Sequence, residues 1–265
     1  MRVGISTASL FKRYSTLNAL KLFNEENIDV AEVFLESFCE YNKPFGEELA
    51  SVKGKTNINS IHTLTTQFEP QLFSENEVAK KDSFELLKGV LDAGKAIGAK
   101  NYTFHGAALL KRTPLIINFD SYTKNLQKVI DICLDYGITL AHENVDWCYM
   151  NYVGFYSELK KRTQGLRATL DIKQARLSKI DLDELIDEMA GDIVTVHLSD
   201  IKNDGKMCLP LTEGGTTDFE KLFSKLKSRG FDGAIIIEAY CGDFIKTEEL
   251  FDSYKKVQKL AEKIF

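Results

Sequence analysis

The sequence predicts a single α/β domain folded as a (β/α)8 barrel, with its active site at the C-terminal ends of the strands. Three observations carry this. Eight short apolar runs alternate with helical stretches across 265 residues, glycines stand just ahead of several of those runs, and the runs close on polar or ionisable residues. Eight strands in alternation with helices is the count of a closed barrel, a fold that runs to about 250 residues as one domain.

The strand candidates are RVGIS (2–6), AEVFLE (31–36), INSIH (58–62), NYTFH (101–105), ITLAHE (138–143), LRATLD (166–171), DIVTVH (192–197) and AIIIE (234–238). Their length and Val, Ile and Leu content suit parallel strands buried on both faces. Helices are expected over 16–26, 44–53, 75–97, 119–136, 152–163, 182–189, 218–228 and from 247 to the end. The third places Val78, Phe84, Leu87, Val90, Leu91 and Ala96 on one stripe. Gly98, Gly137, Gly165, Gly191 and Gly230 each end a helix just before a strand. No Pro- or Ser-rich linker divides the chain, so one domain over 1–265 is expected. The longest stretch without clear structure, 199–217, follows the strand that closes on His197 and is a candidate substrate-covering loop.

A hydrophobic content of 44% supports a sizeable core, and no stretch approaches the ~20 apolar residues of a membrane span. The start, MRVGISTASLF, lacks an apolar segment followed by a small-residue cleavage site, so a soluble cytoplasmic protein without a membrane partner is expected. Net charge is −5, from 34 Lys and Arg against 39 Asp and Glu scattered evenly. A nucleic-acid enzyme needs a basic face, and only short basic pairs occur, so no nucleic-acid partner is expected. The five cysteines form no CxxC pair, and their odd number suits a reduced compartment. Cys148 and Cys241 follow strand ends closely enough to lie near a pocket.

In a parallel barrel every C-terminal strand end opens on one face. Here those ends are Ser6 and Thr7, Glu36, His62, His105, Glu143, Asp171, His197 and Glu238. His142 precedes Glu143 by one residue and should point to the other side of its strand. Taken singly, each acid reads as a helix cap or solvated loop residue and each histidine as a hydrogen-bonded structural residue. Jointly, Glu143, Asp171, His197 and Glu238 on four successive strands read as ligands of one divalent metal ion, Mn²⁺, Mg²⁺, Co²⁺ or Zn²⁺. His62 and His105 read as pocket-lining polar residues or further ligands, and Glu36 as a substrate contact.

Such a site defines a reaction type. A divalent cation polarises a sugar's carbonyl and neighbouring hydroxyl, lowering the cost of the enediolate formed when the C–H between them is deprotonated. Glu143 and Glu238 are the candidate catalytic pair, each with an oxygen free to take or return a proton, which permits epimerisation or aldose–ketose isomerisation.

At these residues the sequence resembles the xylose isomerase-like TIM barrel superfamily, in particular its sugar phosphate isomerases and epimerases, which also include endonuclease IV relatives. The resemblance runs through RVGIST, IHT, FHG, HEN, LDIKQA, VHLSD, the EGGTTDF segment and IIIEAY. It implies that the positions matching Glu143, Asp171, His197 and Glu238 bind one divalent metal, and that the two glutamates transfer protons. Glu213, Gly214, Gly215 and Asp218 resemble a glycine-rich turn before a helix, with Asp218 also readable as a plain N-cap.

Two departures matter. Where many members carry a histidine three residues after the strand-six aspartate, this chain has Gln174, and no Asp-x-His pair follows the strand-seven ligand. The three-zinc site of endonuclease IV cannot then be completed, although His62 and His105 match two of its ligands. Gln174 is a candidate substrate contact, with a structural hydrogen bond in the loop as the alternative. Lys173 and Arg176 are candidates for a substrate phosphate or carboxylate, or are solvated loop cations.

The expectation is a metal-dependent isomerase or epimerase acting on a small sugar, sugar phosphate or polyol. An inosose-type dehydratase, an abasic-site nuclease and a non-catalytic sugar-binding barrel are the alternatives. Phe38, Phe68, Trp147 and Tyr240 could stack on a sugar face or simply pack. Loops 37–44, 63–74, 106–118 and 199–217 would shape the pocket. Relatives form dimers and tetramers, so a homo-oligomer is compatible with the sequence, which shows no interface signature.

Overall fold

A computed structural model describes residues 2–64, 68–109 and 117–265. Its strands are β1 (Arg2–Ser6), β2 (Val30–Leu35), β3 (Asn57–Thr63), β4 (Asn101–Phe104), β5 (Thr139–Glu143), β6 (Arg167–Asp171), β7 (Ile193–Leu198), β8 (Asp200–Ile201), β9 (Met207–Cys208) and β10 (Ala234–Ile237). β1 to β7 and β10 pair in parallel and close into the expected eight-stranded barrel, with β10 between β7 and β1. β8 and β9 pair antiparallel outside it.

The helices are α1 (Thr16–Glu25), α2 (Lys43–Val52), α3 (Glu77–Ile97), α4 (Phe119–Asp135), α5 (Phe155–Lys160), α6 (Ile172–Leu177), α7 (Leu182–Met189), α8 (Phe219–Ser228) and α9 (Thr247–Ile264). α6 was not expected: its six residues are too few to show a helical period, and Asp171 caps it by accepting from Gln174 N at 2.8 Å. On α3 the buried face runs through Leu87, Val90, Leu91, Gly94 and Ile97, while Val78, in the first turn, is exposed. Asp218 is indeed an N-cap, accepting from Lys221 N at 2.9 Å. Among the described residues no helix is long and apolar enough to cross a membrane.

Alternation along β10 shows how the core divides. Ile235 and Ile237 join the large apolar layer between strands and helices, with Leu20, Phe23, Leu91, Leu126 and Val196. Ala234 and Ile236 instead form a small separate cluster with Val30, plugging the amino-terminal end of the barrel. Beyond that plug the interior becomes polar: Asn59 donates to Thr195 Oγ1 at 2.8 Å, and Ser60 and Thr103 donate to Glu32 at 2.7 and 2.8 Å. The barrel is therefore closed by apolar side chains at one end and polar toward the other.

Gly4 marks a tight point of that seal, since a Cβ there would stand 2.2 Å from Val30 O on the neighbouring strand. Gly4→Ala should force β1 and β2 apart and cost ~1–3 kcal/mol. Urea unfolding checks this, and an unchanged midpoint would show that the strands give way freely.

Candidate metal centre

Glu143 and Asp171 are the last residues of β5 and β6, His197 is the penultimate residue of β7, and Glu238 follows β10 directly. Glu238 still extends the ladder, its N–H donating to Leu198 O at 3.0 Å. The four side chains are buried, and their ligand atoms lie within 4.8 Å of one another. His197 Nδ1 faces all three carboxylates, at 2.8 Å from Glu143 Oε1, 3.3 Å from Glu238 Oε2 and 4.0 Å from Asp171 Oδ2. Asn144 fixes the spacing of β5 and β6 by bonding twice to the Asp171 backbone, donating to its carbonyl at 2.8 Å and accepting from its N–H at 2.9 Å.

The electrostatics of this cluster ask for a cation. Burial would raise Glu143, but His197 and His105 hold it down at about 2. Glu238 is likewise held well below the usual range, against burial, chiefly by His197. Asp171 is pushed up to about 7 by burial, which outweighs attraction to Lys173 and is reinforced by Glu143 and Glu238. Burial disfavours charge on His197 and His62, yet Glu32, Glu238 and Glu143 raise the first well above its usual value. Glu238 and Glu32 raise the second to about 10.

Glu143 Oε2 faces His105 Nε2 at 2.8 Å. Three buried carboxylates and one imidazole converging on one point form a donor set that fits a divalent cation. Glu143, Asp171, His197 and Glu238 would hold it.

His62 and His105 adjoin this group, with their Nε2 atoms 3.1 Å apart. Together with Glu143 they form a second convergence of ligand atoms, and Glu32, His62 and Glu238 form a third. His105 is positioned by the fully buried Glu69, which accepts from His105 N at 2.9 Å and Gly106 N at 3.2 Å. His142 points away as expected, packing on Phe104 and facing Tyr122 Oη at 3.1 Å.

A cavity of about 360 Å³ opens over the quartet. Its wall includes His62, His105, Lys173, Gln174, Trp147 and Tyr240. Lys173 is buried with Nζ 4.2 Å from the Tyr240 ring centroid. Gln174 lines the cavity and accepts from Asp146 N at 3.2 Å, a structural hydrogen bond in the loop. Cys241 lines the cavity, whereas Cys148 is buried away from it.

Other candidate residues lie outside the cavity wall. Glu36 lies one residue past β2 and does not line the cavity; it is half-buried, its N–H donating to Glu40 Oε2 at 2.6 Å. Arg176 does not line the cavity and donates to Thr217 Oγ1 at 2.7 Å. Phe38 and Phe68 take the packing alternative, each against Tyr41.

Segment 199–217 contributes no lining residue. It carries the β8–β9 hairpin and folds onto the buried Asp200, which accepts from the N–H groups of Ile201, Thr216 and Thr217. In loops 63–74 and 106–118, residues 65–67 and 110–116 lie outside the described residues.

Sequence reading missed Glu32 and Glu69. Glu32 left a signal: a single carboxylate inside the apolar run VAEVFL, on a strand buried along its whole length, requires charged or donating partners. Glu69 left none, because it sits on a short 3-10 turn, Glu69–Phe73, far in sequence from the β4 end that it supports.

A family model described as xylose isomerase-like TIM barrel matches residues 20–261. The L-ribulose-5-phosphate 3-epimerase UlaE of Salmonella paratyphi A is 25% identical over 175 residues. That match covers 64% of this chain and 60% of that enzyme, less than two thirds of its length. Among solved structures, a D-tagatose 3-epimerase-like protein superposes with a TM-score of 0.82 at 20% identity, covering 100% of this chain and 98% of that one. The IolI protein with a bound zinc atom gives 0.80 at 19% identity, covering 100% and 99%. At these identities the structural matches establish the shared fold.

Proposed function

Because the chain belongs to the xylose isomerase-like TIM barrel family, we propose that it is a divalent-metal-dependent isomerase or epimerase of a small sugar, sugar phosphate or polyol. One observation carries the reading: Glu143 and Glu238 converge in a buried ligand quartet beneath a cavity of about 360 Å³. That volume is at the small end of the roughly 300–1,000 Å³ of ligand pockets and suits a monosaccharide. The epimerase names carried by two of the similar proteins support the sugar, and the zinc of the IolI structure supports the cation.

When bound, a divalent cation would polarise a carbonyl and the adjacent hydroxyl oxygen, lowering the cost of removing the proton between them. One glutamate of the pair takes that proton from one face of the substrate, and the other returns a proton to the opposite face for epimerisation or to the neighbouring carbon for isomerisation. Asp171 and His197 are ligands only. His62, His105, Gln174 and Lys173 offer hydrogen bonds to substrate hydroxyls from the cavity wall, and a phosphate or other anionic group would meet the Lys173 ammonium. Trp147 and Tyr240 cover a sugar face and help to exclude water.

The test is solvent exchange. Loaded with Mn²⁺ or Co²⁺ and offered a panel of ketoses in D₂O, the protein should incorporate deuterium beside the carbonyl of its substrate. An α,β-unsaturated product would instead reveal dehydration. Binding of ketoses by the fully metallated protein with no exchange from any of them would reduce the barrel to a sugar-binding role.

A further inference from the structure

We propose that Glu32 is a positioning residue for the metal centre, holding the Nε2–H of His197 so that Nδ1 turns its lone pair toward the three carboxylates. The inference rests on the metal reading above. Glu32 is fully buried on β2, across the barrel from β7, and lines no part of the cavity, so it does not touch substrate. Its Oε2 accepts from Ser60 Oγ at 2.7 Å and Thr103 Oγ1 at 2.8 Å, and lies 3.1 Å from His197 Nε2. The other imidazole nitrogen is the one that faces Glu143, Glu238 and Asp171.

The chemistry of the partners sets the direction of the bond. An ionised carboxylate is an acceptor only, so Nε2 must be the protonated nitrogen. A neutral imidazole with its proton on Nε2 presents Nδ1 as the ligand atom. The two hydroxyls keep the carboxylate in place independently of the histidine, so the ring is gripped from below by a fixed anchor. Glu32 Oε1 also stands 3.4 Å from His62 Nδ1, so one buried carboxylate addresses both histidines beneath the cavity. A carboxylate behind a ligating histidine fixes its tautomer and ring orientation and raises its basicity, and losing one costs ~10–100-fold in metal affinity.

The test has two readouts that do not depend on turnover. In ¹⁵N-histidine-labelled protein loaded with Zn²⁺, NMR should show His197 with a proton on Nε2 and a metal-shifted Nδ1. Zinc affinity, measured by chelator competition, should fall ~10–100-fold in Glu32→Ala and less in Glu32→Gln, whose amide oxygen can still accept from Nε2–H. Zinc bound through His197 Nε2 would overturn the proposal. So would folded variants whose affinities stay within about two-fold of the parent. If Glu32→Ala does not fold, Glu32→Gln and the tautomer of the parent protein decide. Failure of the parent protein to take up about one zinc per chain would defeat the underlying metal reading, an outcome distinct from correct zinc uptake through the wrong nitrogen.

Discussion

Glu238→Gln is expected to slow epimerisation or isomerisation by roughly 10²–10⁴-fold, the usual contribution of a positioned acid or base. The amide keeps the shape of the side chain and an oxygen for the cation, but it cannot take or carry a proton. Metal content should therefore change far less than rate. Glu143→Gln should have a loss of the same order for the same reason. The two variants should nevertheless differ in one respect. If each glutamate serves one face of an epimerisable carbon, each variant retains deuterium exchange into one epimer and loses it for the other. Exchange followed by NMR on both epimers separately makes this visible. Rates within about ten-fold of the parent in both variants would remove the glutamates from the chemistry.

Withdrawal of the metal is the second large effect. A ligand held at about 1,000 times its Kd stabilises the folded state by about 4 kcal/mol, and a chain of this size shifts its Tm by roughly 2–4 °C per kcal/mol. Chelation should then lower Tm by roughly 8–16 °C. The cost arises because three buried carboxylates, Glu143, Asp171 and Glu238, are left converging with only the neighbouring imidazoles of His197, His105 and His62 to offset them.

The dependence on pH follows from the metal-free cluster. Asp171 is raised to about 7 and His197 well above its usual value, so protons compete with the cation at both. Apparent affinity should therefore fall as the pH drops below about 7 and rise above it. Calorimetry with and without chelator at about pH 6 and about pH 8 measures both effects. A Tm indifferent to chelator would mean that the quartet holds no stabilising ion.

The barrel was legible because its signals are periodic: a strand run, a polar end and a glycine stop recur along the chain. The converging strand ends were legible for the same reason, since one rule places them all on one face. What escaped depended on local deviation from that rule. Strand β2 ends at Leu35, so Glu36 lies past the strand and outside the cavity wall, while Glu32, four residues earlier, is buried inside the barrel. Segment 199–217 looked like a lid because it is long, but its side chains satisfy one another around Asp200. Helix α6 was hidden because its cap, Asp171, is also a candidate ligand, and its six residues are too few to reveal a period.

The pair of hydrogen bonds between Asn144 and the Asp171 backbone bears on how the protein would mature. It uses the peptide N–H and carbonyl of Asp171 and leaves the carboxylate oxygens out of the clamp. The separation of β5 and β6 at the rim is thus set by the chain's own bonding, with the entropy of assembling the quartet lost during folding. On the proposed metal reading, folding and metal loading would be separable events: the chain would fold where the cation is scarce and be charged later. Its activity would then respond to metal supply within the lifetime of one molecule.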